Sequence, residues 1–361
     1  MSQEVKPASS FLAILFFGLL SLIFAEVFSG SSPLWFFSDW GWFVTFPLYW
    51  AHALLLLNLA MRYERMSLTH LYLWGIIFGL YETWITKVIW AGYMGQAPQI
   101  GTFLGFAIAE FFVIGLFYHA VFSFIVPILV FQIVAIATQR DETPIVYTSH
   151  LKVLSRTSRN YTLWGLIIVG GSIFLSTAVG NNIFITMLST IINFAFITVM
   201  MVLLTSVHKR KLSLESLRLG KTGLAIVIIY LIGLYTVMFF LLAPDRIPSF
   251  GTILLTIAFY IIILTLLYIS PKDKEQTYEL AEGLINQRDI LIGLVAFVIL
   301  SILWCIVYTI SIILSFIFYL WMVILGPILF VTAIGKIILK LWDARSQAKE
   351  QKMNQESKRE E

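Results

Sequence analysis

The feature that most constrains this chain is a succession of apolar runs, each long enough to cross a bilayer as a helix, which takes about 20 residues. They fall at 11–28, 42–61, 68–91, 103–137, 161–180, 183–206, 222–243, 249–269, 289–309 and 312–341. Composition agrees: 59% of the residues are hydrophobic and 12% charged, against roughly 25% charged in an average soluble domain. A soluble globule of 361 residues could not cover its surface with so few charges. The fold class is therefore all-α, a polytopic integral membrane protein of about ten transmembrane helices. This excludes most soluble enzyme classes, nucleic-acid binders and disulfide-stapled secreted domains. The single cysteine, Cys305, lies inside an apolar run, which leaves no intramolecular disulfide and no cysteine metal motif.

The basic residues set the topology. With the N-terminus inside, 22 of the 24 Lys and Arg residues fall in the segments that alternate passes place inside; Arg246 falls outside and Lys87 within the third run. This positive-inside alternation predicts both termini in the cytoplasm; the expected location is the plasma membrane of a prokaryotic cell. The uncharged stretch from Ile290 to Gly335 would be about 69 Å long as one helix at ~1.5 Å per residue. It must fold back once, near Thr309 to Ser311. The fourth and tenth runs exceed a minimal span, which predicts tilt or a kink at Pro127 or Pro327. Lys6 before an apolar run has the outline of a signal peptide, but the run continues through Glu26 to Phe28 without a small-x-small cleavage site, so the first helix is read as retained.

Four regions follow: a four-helix unit over 1–137 that carries the intramembrane Glu and His residues, a basic loop over 138–160, a six-helix apolar unit over 161–342, and a charged tail over 343–361. Two inside loops, 207–221 and 271–289, are candidate surfaces for a membrane-protein partner besides the lipid bilayer. The first alternates leucines with basic residues, as an interfacial segment does; the second is amphipathic through Tyr278, Ala281, Leu284 and Ile285. Asn160-Tyr161-Thr162 matches a glycosylation acceptor but falls on the inside.

Ionisable groups in a span cost about 2.5–3.5 kcal/mol each on insertion scales and usually face protein or a water-filled cavity. Here they are Glu26, His52, Glu82, Lys87, Glu110 and His119, all in the first four runs. At ~1.5 Å per residue, His52 lies about 15 Å and Glu82 about 14 Å from the outer ends of their helices, with His119 and Asn193 at a similar level. Gly75, Gly79, Glu82 and Thr86 form one small and polar stripe; Gly115, His119 and Ser123 form another, and Thr45, Tyr49 and His52 a third. Small residues admit close helix approach, so these stripes are expected to face one another. Glu26 and Glu110 sit nearer the outer surface, shallow enough to be hydrated, and Lys87 is expected to snorkel to the outer interface. Glu82, His52 and His119 at one depth could hold zinc with an activated water. With Glu26, Glu110 and Asn193 they could also line a proton or substrate path.

Tyr81-Glu82-Thr83-Trp84-Ile85-Thr86-Lys87, followed one helix later by His119, resembles a degenerate form of the pattern in CPBP (Abi/CAAX-protease-related) intramembrane metalloproteases. The segment Glu26-x-x-Ser29-Gly30-Ser31-Ser32-Pro33 resembles that of uncharacterised prokaryotic polytopic membrane proteins with a similar Glu/His layout. The resemblance covers about the first 135 residues. It implies Glu82 as the second motif glutamate, His119 as a catalytic histidine and zinc as cofactor. Tyr81 stands where that family has its first glutamate, Thr86 where it has arginine, no later span holds a histidine, and Asn193 matches the late asparagine loosely. Three functions stay open: a degenerate CPBP-like hydrolase, a proton-coupled secondary transporter of a small solute, and a non-catalytic subunit or assembly factor of a larger complex.

Overall fold

A computed structural model of the chain describes residues 11–139, 145–207, 211–273, 276–277 and 283–360. It opens with α1 (Phe11–Val27) and α2 (Gly41–Arg62). The third apolar run is three short pieces, α3 (Leu68–Gly79), α4 (Tyr81–Trp84) and α5 (Val88–Ala91). Then come α6 (Ile108–Ala137), the short α7 (Thr148–Leu154), α8 (Ser158–Ala178), α9 (Ile183–Ser206), α10 (Lys221–Leu241), α11 (Phe250–Ile269), α12 (Gln287–Ile306) and α13 (Tyr308–Glu360). Among the described residues eight helices are long and apolar enough to cross a membrane: α2, α6, α8 to α12, and α13 as far as Asp343. The two remaining runs differ from the expected spans, α1 by its shorter length and the third by its breaks.

Local chemistry explains the boundaries. Thr157, Asn182 and Ser249 accept the N–H of Asn160, Ile185 and Thr252 and so start α8, α9 and α11. Asn286 and Asp289 form a reciprocal capping box on α12. The expected start of the fourth span at 103 gives way to a hairpin, Thr102–Phe103 (β1) paired with Phe106–Ala107 (β2), whose turn has positive φ at Leu104 and Gly105. That is the backbone a two-residue hairpin turn needs. The fold-back in the uncharged stretch comes at Val307, two residues before the expected position.

Hydrogen bonds gather the connections at two ends of the bundle. At one, the basic end, Arg62 donates to Leu219 O and Arg65 to Leu267 O, His150 bonds Met66 O, and Asp273 accepts from Ser67 N at 2.6 Å, His70 Nδ1 at 2.6 Å and Lys340 Nζ at 3.3 Å. At the other, Ser189 donates to Pro33 O, Trp90 to Thr256 Oγ1, and Arg246 to the carbonyl of Gly92. The apolar side chains of the basic-end loops are turned onto the bundle. Leu212 and Leu217 are buried, Asn58 clasps the backbone of Leu217 and Leu219, and Ile285 N donates to Leu154 O. Lys274, Tyr278 and Ala281 of the amphipathic stretch lie outside the described residues. Ile145–Val146 (β3) pairs with Gln276–Thr277 (β4) beside it. Asn160 is buried and donates to the carbonyls of Lys152 and Ser155, which removes it from any surface role.

The core lies around α6. Gly75 of α3 meets the backbone of Ala120, where an added Cβ would come within 2.6 Å of Ala120 Cα, and Gly79 faces Gly115. The small residues of the two stripes thus let α3 and α6 approach backbone to backbone. Over Phe111–Ile125 α6 is wound as a π-helix and returns to α-helix at Val126. Pro127 follows at once; it has no N–H for the carbonyl four residues back. That carbonyl, Ser123 O, accepts from Ser21 Oγ at 2.7 Å instead. Pro327 sits inside the unbroken helix α13.

Candidate functional site

The site is built where α1, α2, α4 and α6 converge. Glu26 lies in a π-helical turn, Ile23–Val27, and His119 in the π-helical part of α6; such widened turns recur at functional sites. The close approach of α3 to α6 carries α4, and with it Glu82, to His119: Nε2 of the histidine is 3.1 Å from Glu82 Oε1. Thr86 donates to the other carboxylate oxygen, Oε2. His119 Nδ1 is 2.7 Å from Ser123 Oγ. From His119 a chain of hydroxyls leads away: Tyr81 at 3.4 Å from Nε2, Tyr49 at 2.7 Å from Tyr81, and Glu26 Oε1 at 2.6 Å from Tyr49. Two carboxylates on different helices are joined through one imidazole and two phenols.

With both glutamates ionised and His119 neutral, one set of directions satisfies every group. Glu26 and Glu82, as carboxylates, only accept. Tyr49 therefore donates to Glu26 and must accept from Tyr81. Tyr81, its hydrogen used, can only accept from His119 Nε2–H, which also faces Glu82. Ser123 then donates to Nδ1. Every group in the chain has a role under this single assignment.

Glu26, Tyr49, Glu82 and His119 share one wall of a cavity of about 540 Å³. Tyr93, Tyr118 and Tyr319 line the rest with Met94 and Met322, and no Lys or Arg is among its described lining residues. Ser31 and Met94, both exposed, mark its opening at the end opposite the basic loops.

The expected site residues separate here. Glu82, His119 and Glu26 come together. His52 lies one layer away: its ring stacks on Phe78 at 5.2 Å, Nε2 is 2.9 Å from Tyr235 OH, and Nδ1 is 2.8 Å from Leu48 O. Asn193 is turned to the 33–35 segment, accepting from Trp35 Nε1 at 2.8 Å and donating to Pro33 O. Glu110 is fully buried rather than hydrated. Its Oε1 accepts from Gln99 N at 3.2 Å and its Oε2 has no partner. Lys87 does not snorkel. It is fully buried in a left-handed conformation, φ 59°, and its ammonium donates to the carbonyls of Met238, Phe239 and Leu242. A cation at the carbonyl end of α10 satisfies orphan acceptors and opposes the helix dipole. Its left-handed turn marks the break between α4 and α5.

Zinc fits this donor set poorly. Among the described residues no group of three or more His, Cys, Asp and Glu is arranged to hold a metal ion. Both ring nitrogens of His52 already face oxygen partners, Leu48 O and Tyr235 OH.

The model of an uncharacterised membrane protein family matches residues 15–347, nearly the whole chain. The chain belongs to that family. An uncharacterised protein of Archaeoglobus fulgidus is 30% identical over 257 residues, 70% of this chain and 76% of the relative. No solved structure matches. Neither comparison shows the CPBP resemblance. The family match spans both the polar first half and the apolar second half, so the site is one part of a membrane protein whose whole length the family shares.

Tyr49 and Tyr81 belong to the chain although a search for ionisable groups in the spans does not single them out. Tyr49 lies on the His52 stripe and Tyr81 in the position read as a lost glutamate. The usable signal was three phenol or imidazole groups at one depth beside a carboxylate.

Proposed function

We propose that this membrane protein binds a small cationic solute in the Glu26/Glu82 cavity and couples binding to proton exchange, as a secondary carrier of the plasma membrane in a prokaryotic cell. The observation that carries this reading is the continuous chain Glu26, Tyr49, Tyr81, His119, Glu82, all of whose members but Tyr81 line a cavity with no Lys or Arg among its described lining residues. Two carboxylates in a low-dielectric setting need protons or a cation to balance them. Tyrosine faces favour a cation as well. Under the positive-inside reading the cavity opens outward.

The relay follows from the assigned directions. Once the imidazole of His119 has taken up a second proton from the cavity, Nε2 passes its proton to Tyr81, Tyr81 passes its own to Tyr49, and Tyr49 passes its own to Glu26, which leaves His119 neutral. Each hydroxyl ends as it began, protonated, while Glu26 becomes neutral. The 3.4 Å link from His119 to Tyr81 is the longest in the chain and is its gate. A cation beside Glu82 would draw that carboxylate from His119 and change which end keeps the proton.

The test is proton movement in proteoliposomes enclosing a pH dye, with inward gradients of choline or tetramethylammonium, which carry no proton of their own. A gradient should change the internal pH in the wild type, Glu82→Gln should abolish the change, and Tyr81→Phe should slow it about tenfold, which is about 1.4 kcal/mol. No response to either cation, or an unchanged response in Glu82→Gln, would refute the reading. A second reading, hydrolysis, is favoured by Glu82 and His119 lying 3.1 Å apart beside the cavity, where the pair could accept a proton from water. Cleavage of a membrane-embedded peptide lost in Glu82→Gln, with no cation-linked proton movement, would select it.

A further inference from the structure

We propose that one anionic lipid with two hydrocarbon chains straddles the start of α8, one chain on either side of Trp164. Away from the polar cavity, two apolar cavities of about 290 and 240 Å³ lie in the basic-end half of the bundle. The larger lies between α8 and α12 and is lined by Leu20, Ile168 and Phe297 among others. The smaller lies between α8 and α13, against Leu68, Leu329 and Ala333. Trp164 and Ile167 line both, so one turn of α8 is the wall between them. The indole is fixed there, its N–H donated to Val153 O at 3.2 Å, so the wall does not fold into either side.

Shape and charge select the occupant. Tyr161 and Asp289 border the first cavity at the basic end, and Lys336 borders the second. From there the first runs toward the middle of the bundle at Phe24 and Phe297. A helix from a partner is a rod about 10 Å across and cannot enter two slots on opposite sides of a fixed side chain. Two flexible chains joined at one head can. Arg156 lies at the first mouth, bound to Asp289 at 2.9 Å, with Arg159 exposed three residues on and Lys336 exposed at the second mouth. Three cations against one acid favour a phosphate head, as basic pockets between membrane helices do.

The experiment is native mass spectrometry of the full-length chain in detergent, titrated with dioleoyl phosphatidylglycerol and separately with dioleoyl phosphatidylcholine. One phosphatidylglycerol per chain should be retained, at least tenfold more tightly than phosphatidylcholine. Gly165→Leu places a side chain in the first cavity, where nothing lies within 4 Å of an added Cβ; Thr332→Phe does so in the second. Each alone should weaken retention of that one lipid about tenfold or more, and Lys336→Gln should remove most of the headgroup preference. Two lipids per chain, with each substitution removing one, would overturn the proposal. So would equal retention of both lipids, or a lipid-free dimer. If a filled variant does not fold, brominated phosphatidylglycerol in nanodiscs serves instead: it should quench a fluorescence component that Trp164→Phe abolishes, and equal quenching of both proteins would refute the site.

Discussion

The helices before residue 138 and those after it meet the bilayer differently. In the most apolar stretches of α2 and α6, 67% and 78% of the residues are buried within the protein; in α10 and α13 the share is 11%. Hydropathy does not announce this. α6 and α10 have the same mean hydropathy, 2.6, yet one is the centre of the bundle and the other borders it. What separates them is the placement of small and polar side chains. Gly75, Gly79 and Gly115 bring α3 and α6 into backbone contact, and the polar chain occupies the space this organises. α10 offers Ile226, Ile229 and Ile232 outward and is tied to the core through Lys87 and Tyr235.

Substitutions of one kind in the two regions test that difference, and glycine gives the largest contrast. Gly75→Leu forces a side chain into the backbone of Ala120 and should destabilise the protein by about 3 kcal/mol or deny it a folded state. Gly233→Leu in α10, where nothing lies within 4 Å, should stay within about 0.5 kcal/mol. Thermal unfolding in detergent checks both, and equal losses would erase the distinction. Next comes the tie between the regions. Lys87→Met leaves three carbonyls without their donor and should cost about 1–3 kcal/mol in the same assay. Lys272→Met breaks an exposed pair with Glu64 and should cost under about 1 kcal/mol.

The same basic end should also show a dependence of stability on pH. Burial pushes the His150 imidazole down to about 4 from 6.5, against the hydrogen bond to Met66 O and the field of Asp273. The unfolded chain takes up a proton below 6.5 that the folded chain refuses, so this contribution is complete above 6.5 and is lost as pH falls toward 4. The slope reaches at most about 1.4 kcal/mol per pH unit. Unfolding midpoints between those limits should fall with pH in the wild type and flatten in His150→Leu.

Much of the architecture was legible because length and apolarity are local properties. The fold-back at Val307 and the separation of basic from non-basic ends needed no tertiary knowledge. The broken third run was not legible: Lys87 finds its acceptors some 150 residues away on α10, and nothing near it signals an inward turn. Depth along a helix placed Glu82 and His119 together, but it grouped His52 and Asn193 with them. Depth is one coordinate of three, and those two side chains point to α10 and to the 33–35 segment. The tyrosines were overlooked because a phenol passes for an apolar residue until its hydroxyl has a partner.

The central claim is that Glu26 and Glu82, on separate helices, share protons through one chain. Infrared spectroscopy of the carboxyl groups, followed against pH in the purified protein, tests it most directly. The account predicts coupled titration: Glu26→Gln shifts the band lost in Glu82→Gln, Glu82→Gln shifts the band lost in Glu26→Gln, and Tyr81→Phe uncouples them. Two carboxyl bands that titrate independently, each unmoved when the other residue is replaced, would contradict it.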